Sequence, residues 1–199
     1  METFGQSYPA TFEVDGTDRI ANWRPLVQWL LAFPHFLVLY GLDIVARAVA
    51  VIGWFAIVFT GRLPEGLANL LCLFIRYNNR ALAYAGFLRE EYPPFVFDTV
   101  GPDPGNYPPV RTGLAPELED RNRLTVGFRL ILVIPQLIVL VFVGIAAFVV
   151  WVIGFFAVLF TGRWPEGLRT FVVGYMRWYT RVEAYLGLLT DKYPPFSLE

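Results

Sequence analysis

F-T-G-R-L-P-E-G-L at residues 59–67 returns as F-T-G-R-W-P-E-G-L at residues 160–168, and each copy follows a long apolar run. Aligned with an offset of 101 residues and no gap, 18 of the 37 positions in 59–95 are identical to 160–196. Each copy then carries a helical stretch with Arg76 and Arg80, or Arg177 and Arg181, and closes on Y-P-P-F at 92–95 or 193–196. The chain is a tandem duplication. Unit one spans residues 1–95, unit two spans 107–199, and a Pro- and Gly-bearing linker at 96–106 joins them. Extended stretches beginning at Tyr8 and Tyr107 open the two units.

Composition sets the environment. Of 199 residues, 56% are hydrophobic and only 17% charged, against roughly 25% charged in soluble domains. Too little polar surface remains to coat a core of this size, so the chain reads as a membrane protein. A net charge of −1 with no basic block excludes nucleic acid as a partner. The single cysteine, Cys72, permits no internal disulfide or multi-cysteine metal site and reads as a small packed residue. Glu2, Glu13, Asp15, Asp18, Arg19 and Arg24 leave no room for a cleavable signal peptide, so insertion must rely on the internal apolar segments.

The apolar run 130–161 has no charge, and its counterpart 25–60 has only Asp43 and Arg47. As one helix, 130–161 would reach about 48 Å, too long for one upright crossing of a hydrocarbon core about 30 Å thick. A bend at 41–47 and 142–148 would divide each run into two crossings. The expected hairpins cover about 25–60 and 124–161, with Pro34 and Pro135 as kinks in their first helices. In T-G-R-x-P-E-G-L, Gly61 and Gly162 allow a sharp turn, Pro64 and Pro165 suit a first helical position, and Glu65 and Glu166 favour the positive helix end.

The next helix, about 64–89 and 165–190, is amphipathic. Asn69, Arg76, Asn79 and Arg80 share one stripe, as do Thr170, Arg177, Thr180 and Arg181. Spanning lipid would cost about 2.5–3.5 kcal/mol for each arginine. A position in the headgroup plane avoids that cost. The expected fold is therefore an all-α membrane protein: four transmembrane helices, two interfacial helices, and short extended segments at the cytoplasmic face. Arginine placement puts both termini in the cytoplasm. The Y-P-P-F segments fold back onto the amphipathic helices or pair with the extended stretches.

The F-T-G-R-x-P-E-G-L string, the segment R-W-Y-T-R-V-E-A-Y-L-G-L-L-T-D-K-Y-P-P-F at 177–196, and L-A-F-P-H at 31–35 resemble the bacterial family called domain of unknown function 4389. The resemblance implies a multi-pass bacterial membrane protein and brings no activity or catalytic residue with it; the expected location is the inner (plasma) membrane. Unit one departs from the pattern with Tyr77-Asn78-Asn79 in place of Trp178-Tyr179-Thr180.

Motifs for catalysis are lacking: no nucleophile elbow, phosphate loop or dinucleotide fingerprint occurs, and no cofactor or enzymatic role is expected. His35, whose counterpart is Gln136, reads as a buried hydrogen-bonding group, having no metal-ligand spacing. Asp43 and Arg47, four residues apart, form either an ion pair in a path or a solvated pair at the bend. The strongest candidate site is the set Arg62, Arg76, Arg80, Arg163, Arg177 and Arg181. Guanidinium groups bind phosphate by paired hydrogen bonds, so these residues either hold anionic phospholipid headgroups or fix topology by pairing within the protein. The expected role is a non-enzymatic scaffold or accessory subunit contacting the lipid bilayer, a membrane-protein partner or a second copy. The alternative is a small transporter or channel subunit with a path between the repeats.

Overall fold

The computed structural model describes residues 8–15, 19–99 and 109–199, so the expected start of unit two at Tyr107 and most of the linker lie outside them. In unit one, β1 (Ala10–Val14) is followed by α1 (Arg24–Leu31), α2 (Phe33–Thr60) and α3 (Glu65–Ala85). Unit two repeats the order as β2 (Val110–Leu114), α4 (Arg123–Gly127), α5 (Arg129–Leu132), α6 (Ile134–Thr161) and α7 (Glu166–Leu186).

The hairpins expected at 25–60 and 124–161 do not form. Both α2 and α6 run 28 residues without a break, through 41–47 and 142–148. A bend there would orphan up to eight backbone groups in apolar surroundings, whereas keeping one glycine in a helix costs only about 1 kcal/mol. Asp43 and Arg47, instead of flanking a turn, pair at 2.8 Å along the continuous helix. The interruptions fall two residues before Pro34 and Pro135, at Ala32 and Val133, because proline lacks the N–H that the preceding turn requires. Among the described residues, two helical segments, Arg24–Thr60 and Arg129–Thr161, are long and apolar enough to cross a membrane, in place of the four expected.

The repeated string ends the long helices. Gly61 (φ 76°) and Gly162 (φ 67°) adopt the left-handed conformation and donate to the Ile57 and Val158 carbonyls at 2.7 and 2.8 Å. Pro64 and Pro165 sit at the N-caps, with Glu65 and Glu166 in the first turns. Both amphipathic helices stop four residues short of expectation. Phe87 (φ 44°) and Leu188 (φ 64°) take left-handed conformations, while Leu88 and Leu189 N–H groups return to the Ala83 and Ala184 carbonyls. Glycine ordinarily occupies such a position. Here Phe87 and Leu188 are buried, and their packing offsets the strain.

The units complete each other. Strands β1 and β2 pair antiparallel with Phe12 opposite Thr112, but β1 packs on α7 and β2 on α3, each on the other unit's helix. Ile20 N–H donates to Gly162 O and Arg121 N–H to Gly61 O, both at 3.0 Å, so each repeated string receives the other unit's entering segment. Asn79 and Thr180, equivalent by sequence, meet at 3.0 Å. These reciprocal contacts define a pseudo-twofold axis through the centre of the sheet and the α3–α7 contact.

Three tiers follow: sheet, then α3 and α7, then α2 and α6. Helix α2 buries one stripe, His35, Leu39, Ala46, Val49, Gly53 and Ile57, along its whole length. Helix α6 buries the corresponding Gln136, Leu140, Ala147, Gly154 and Val158. Their remaining faces, including Phe36, Tyr40, Phe55, Phe142, Ile145 and Phe156, are exposed. The headgroup-facing position expected for α3 and α7 is thus corrected: both lie in the middle tier, and their arginine stripes turn towards the sheet. The Phe12 carbonyl of β1 accepts from Arg177 there, so that guanidinium has a partner inside the protein without needing a phosphate.

Candidate functional site

The six arginines do not converge on one point. Arg62 and Arg163 are exposed at the C-terminal ends of the apolar helices. Arg76, Arg80 and Arg181 are buried. Arg80 Nε donates to the Arg76 carbonyl at 3.3 Å, Arg177 Nε to Phe12 O at 3.1 Å, and an Arg181 amino group to Ser197 O at 3.3 Å. Arg177 and Arg181 line a cavity of about 440 Å³ beside β1, together with Tyr8, Glu13, Ser197 and Glu199.

Corresponding positions keep their contacts while changing chemistry. His35 Nδ1 lies 2.7 Å from the Tyr77 hydroxyl, and Gln136 Oε1 accepts from the Trp178 indole at 2.8 Å. Gln136 Nε2 also donates to Pro194 O at 2.5 Å, tying the second Y-P-P-F segment to α6. In unit one, Phe95 stacks on the His35 ring at 4.2 Å. Both segments fold back onto the helices, and the extended stretches pair with each other instead. Gln28 donates to the Tyr84 carbonyl, and its counterpart Arg129 to the Tyr185 carbonyl.

Sequence reading missed the acids that close each unit. Glu90 accepts from the Ala21 N–H, and Asp191 from the Asn122 N–H at 2.8 Å. Asp191 also binds Arg121 at 2.7 Å and Arg129 at 2.5 Å. Burial pushes its carboxyl up, but the Arg121 hydrogen bond, the Asn122 amide and the two guanidinium charges hold it below the usual carboxylate range. Alignment of acid with acid at 90 and 191 was the available signal. Cys72 is buried in α3, and burial pushes its thiol up to about 11, leaving it unreactive at neutral pH.

Twin cavities flank the axis. One, about 430 Å³, is lined by Gly144, Ala147, Phe148 and Trp151 of α6 with Leu82 and Met176. The other, about 290 Å³, has Asp43, Ala46, Arg47 and Ala50 of α2 with Glu183 and Ile75 at the corresponding places. The first is apolar and the second charged, a difference neither motif nor composition announces.

A family model described as Domain of unknown function (DUF4389) matches residues 22–96 and 123–197. No curated protein and no solved structure matches the chain.

Proposed function

Because the chain belongs to the DUF4389 family and carries its domain twice, we propose a role in membrane organisation: a non-enzymatic scaffold or accessory subunit of the bacterial inner membrane, with its polar tiers in the cytoplasm. The carrying observation is the apolar outer tier. Helices α2 and α6 expose large hydrophobic side chains along their whole length, while the opposite tier exposes Glu13, Asp15 and Arg111.

The pseudo-twofold axis runs normal to these tiers. With α2 and α6 lying in one leaflet, the axis is the membrane normal and the charged sheet stays in water. At about 42 Å each, the helices exceed an upright crossing but meet no length limit when they lie in the membrane plane. Upright α2 and α6 would bring the sheet's ion pairs towards acyl chains, at a cost of several kcal/mol. Arg62 and Arg163, exposed at the rim of the apolar tier, are the residues we assign to anionic headgroups. Arg177 and Arg181, beside the water-facing cavity, suit an acidic segment of a partner. A transport path between the repeats would have to pass Asn79, Thr112 and Thr180, all fully buried, so the scaffold reading is preferred.

Single cysteines in a Cys72→Ser background test the arrangement. Labels at Thr11 and Arg62 should react only from the cytoplasmic side, and labels at Val51 and Ile153 from neither. Reaction at Trp23 and Arg62 from opposite sides would show a spanning helix and overturn the reading. Arg62→Ala with Arg163→Ala should reduce anionic lipid retained in native mass spectrometry, and unchanged retention would remove the headgroup assignment.

A further inference from the structure

The charged cavity contains an acid for which the fold has no visible use. Glu183 of α7 has Leu82 as its counterpart, in equivalent surroundings. Among the described residues, its Oε1 receives one long hydrogen bond, from Asn78 at 3.4 Å, and its Oε2 is buried with no partner. A carboxyl oxygen so placed carries a desolvation penalty that an apolar side chain would not incur. Across the cavity, Asp43 is already neutralised by Arg47 at 2.8 Å, and Arg47 extends to the surface, 79% exposed. The net charge of the enclosure is therefore that of Glu183 alone.

We propose that this cavity binds a primary ammonium group carried on a short apolar chain, with Glu183 and Asp43 receiving the cation and Ala46, Leu71 and Leu140 the chain. An ammonium supplies three donors and one positive charge, matching one uncompensated carboxylate and its empty acceptor. Two carboxylates repel an anion. A divalent metal takes six or more oxygen ligands, whereas no group of three His, Cys, Asp or Glu side chains converges among the described residues. The volume of about 290 Å³ is at the lower end for small-molecule pockets and limits the ligand to a small group. Tyr179 lines the same space; burial raises its pKa, so its side chain stays a neutral phenol.

Burial pushes the Glu183 carboxyl up to about 8, with Asn78 pulling it down and Asp43 adding to the rise. The groups facing it are Asp43 and Arg47 from α2, Asn78 from α3 and Tyr179 from its own helix, while α6 contributes only Leu137 and Leu140. Ligand binding then requires loss of the Glu183 proton at pH values below about 8. Affinity should rise about tenfold per pH unit from 6 towards 8 and level off above it. The same headgroup chemistry occurs in a free alkylamine and in an aminophospholipid.

The probe is hexylammonium chloride, added to the full chain in mild detergent and followed by calorimetry and thermal unfolding, with hexanol and hexanoate beside it. Hexylammonium should bind and raise the melting temperature, with affinity at least tenfold lower in both Glu183→Leu and the isosteric Glu183→Gln. Glu183→Leu, which installs the residue of the sister cavity, should itself melt above the parent. Equal binding of hexanol, unchanged binding in either variant, or no binding at all would overturn the site. Native mass spectrometry after reconstitution in phosphatidylethanolamine or phosphatidylglycerol vesicles separates the sources. Selective retention of the ethanolamine lipid, lost in Glu183→Leu, assigns a headgroup, and hexylammonium binding without it assigns a free amine. None of these readouts depends on how the helices sit in the bilayer.

Discussion

The two units spend different side chains on the same positions. Unit two places Trp164 within its repeated string, where unit one has Leu63, and the indole fits against Gly154 while donating to the Phe87 carbonyl at 2.9 Å. Unit two gathers Arg121 and Arg129 around Asp191, whereas unit one has Ile20, Gln28 and Glu90 there. Around the cavities the polarity is reversed, since the acid-bearing enclosure takes Asp43 from unit one and Glu183 from unit two. The backbone contacts recur in both units while the side chains diverge. Duplication thus preserved the frame and left one copy of each position open to change.

Exchanges between units probe that division. The largest effect is expected from Trp164→Ala, which empties a fully buried site and leaves the Phe87 carbonyl unpaired, at about 3–5 kcal/mol of stability in thermal unfolding. A loss under 1 kcal/mol would mean the string tolerates either residue. Next comes Asp191→Asn, at about 3 kcal/mol, because the buried Arg121 and Arg129 lose their shared counter-charge. The folded Asp191 pKa is depressed, so its stabilisation is complete above the unfolded carboxylate value and disappears as pH falls through the folded one. The parent should lose stability over that acidic window, and the asparagine variant should lose less. A parallel pH profile would show that another acid carries the effect.

Smaller effects separate the glycines. A Cβ at Gly154 would stand 2.1 Å from the Trp164 ring, against 3.0 Å from the mobile Leu63 end at Gly53. Gly154→Ala should cost about 2 kcal/mol by overpacking, and Gly53→Ala distinctly less. Equal melting shifts would refute the difference. His35→Gln, which gives unit one the residue used by unit two, should change stability by less than about 1 kcal/mol, since an amide can still meet the Tyr77 hydroxyl.

The duplication, the turn at T-G-R-x-P-E-G-L and a disturbed helix at each proline were readable, since each rests on local backbone chemistry, although at the prolines one helix ends and the next begins where a kink within one helix was expected. Gly61 and Gly162 take the positive φ that the string implied. The continuity of α2 and α6 was not, because a length argument that assumed upright crossings forced a bend upon residues whose one glycine in each copy is too weak a breaker to end a helix. Nor was the end of α3 at Ala85, where Phe87 takes a conformation that propensity denies it. The arginine stripes were legible but their neighbours were not: β1 and β2 pack on the opposite unit's amphipathic helix, and Phe12 O of β1 accepts from Arg177, a long-range pairing with no local signal. Of the candidate arginines, only Arg62 and Arg163 lie exposed at the ends of the long helices, and the acid at 183 drew no attention because its counterpart is leucine.

Since every unit lends its opening strand to the other, half of this polypeptide would be left with an uncovered helix face and no lid. Two chains bearing a single copy could close only as a pair, by trading arms. A homologue with one copy is therefore expected to be an obligate homodimer, and a protease cut between the copies here should leave the fragments clasped.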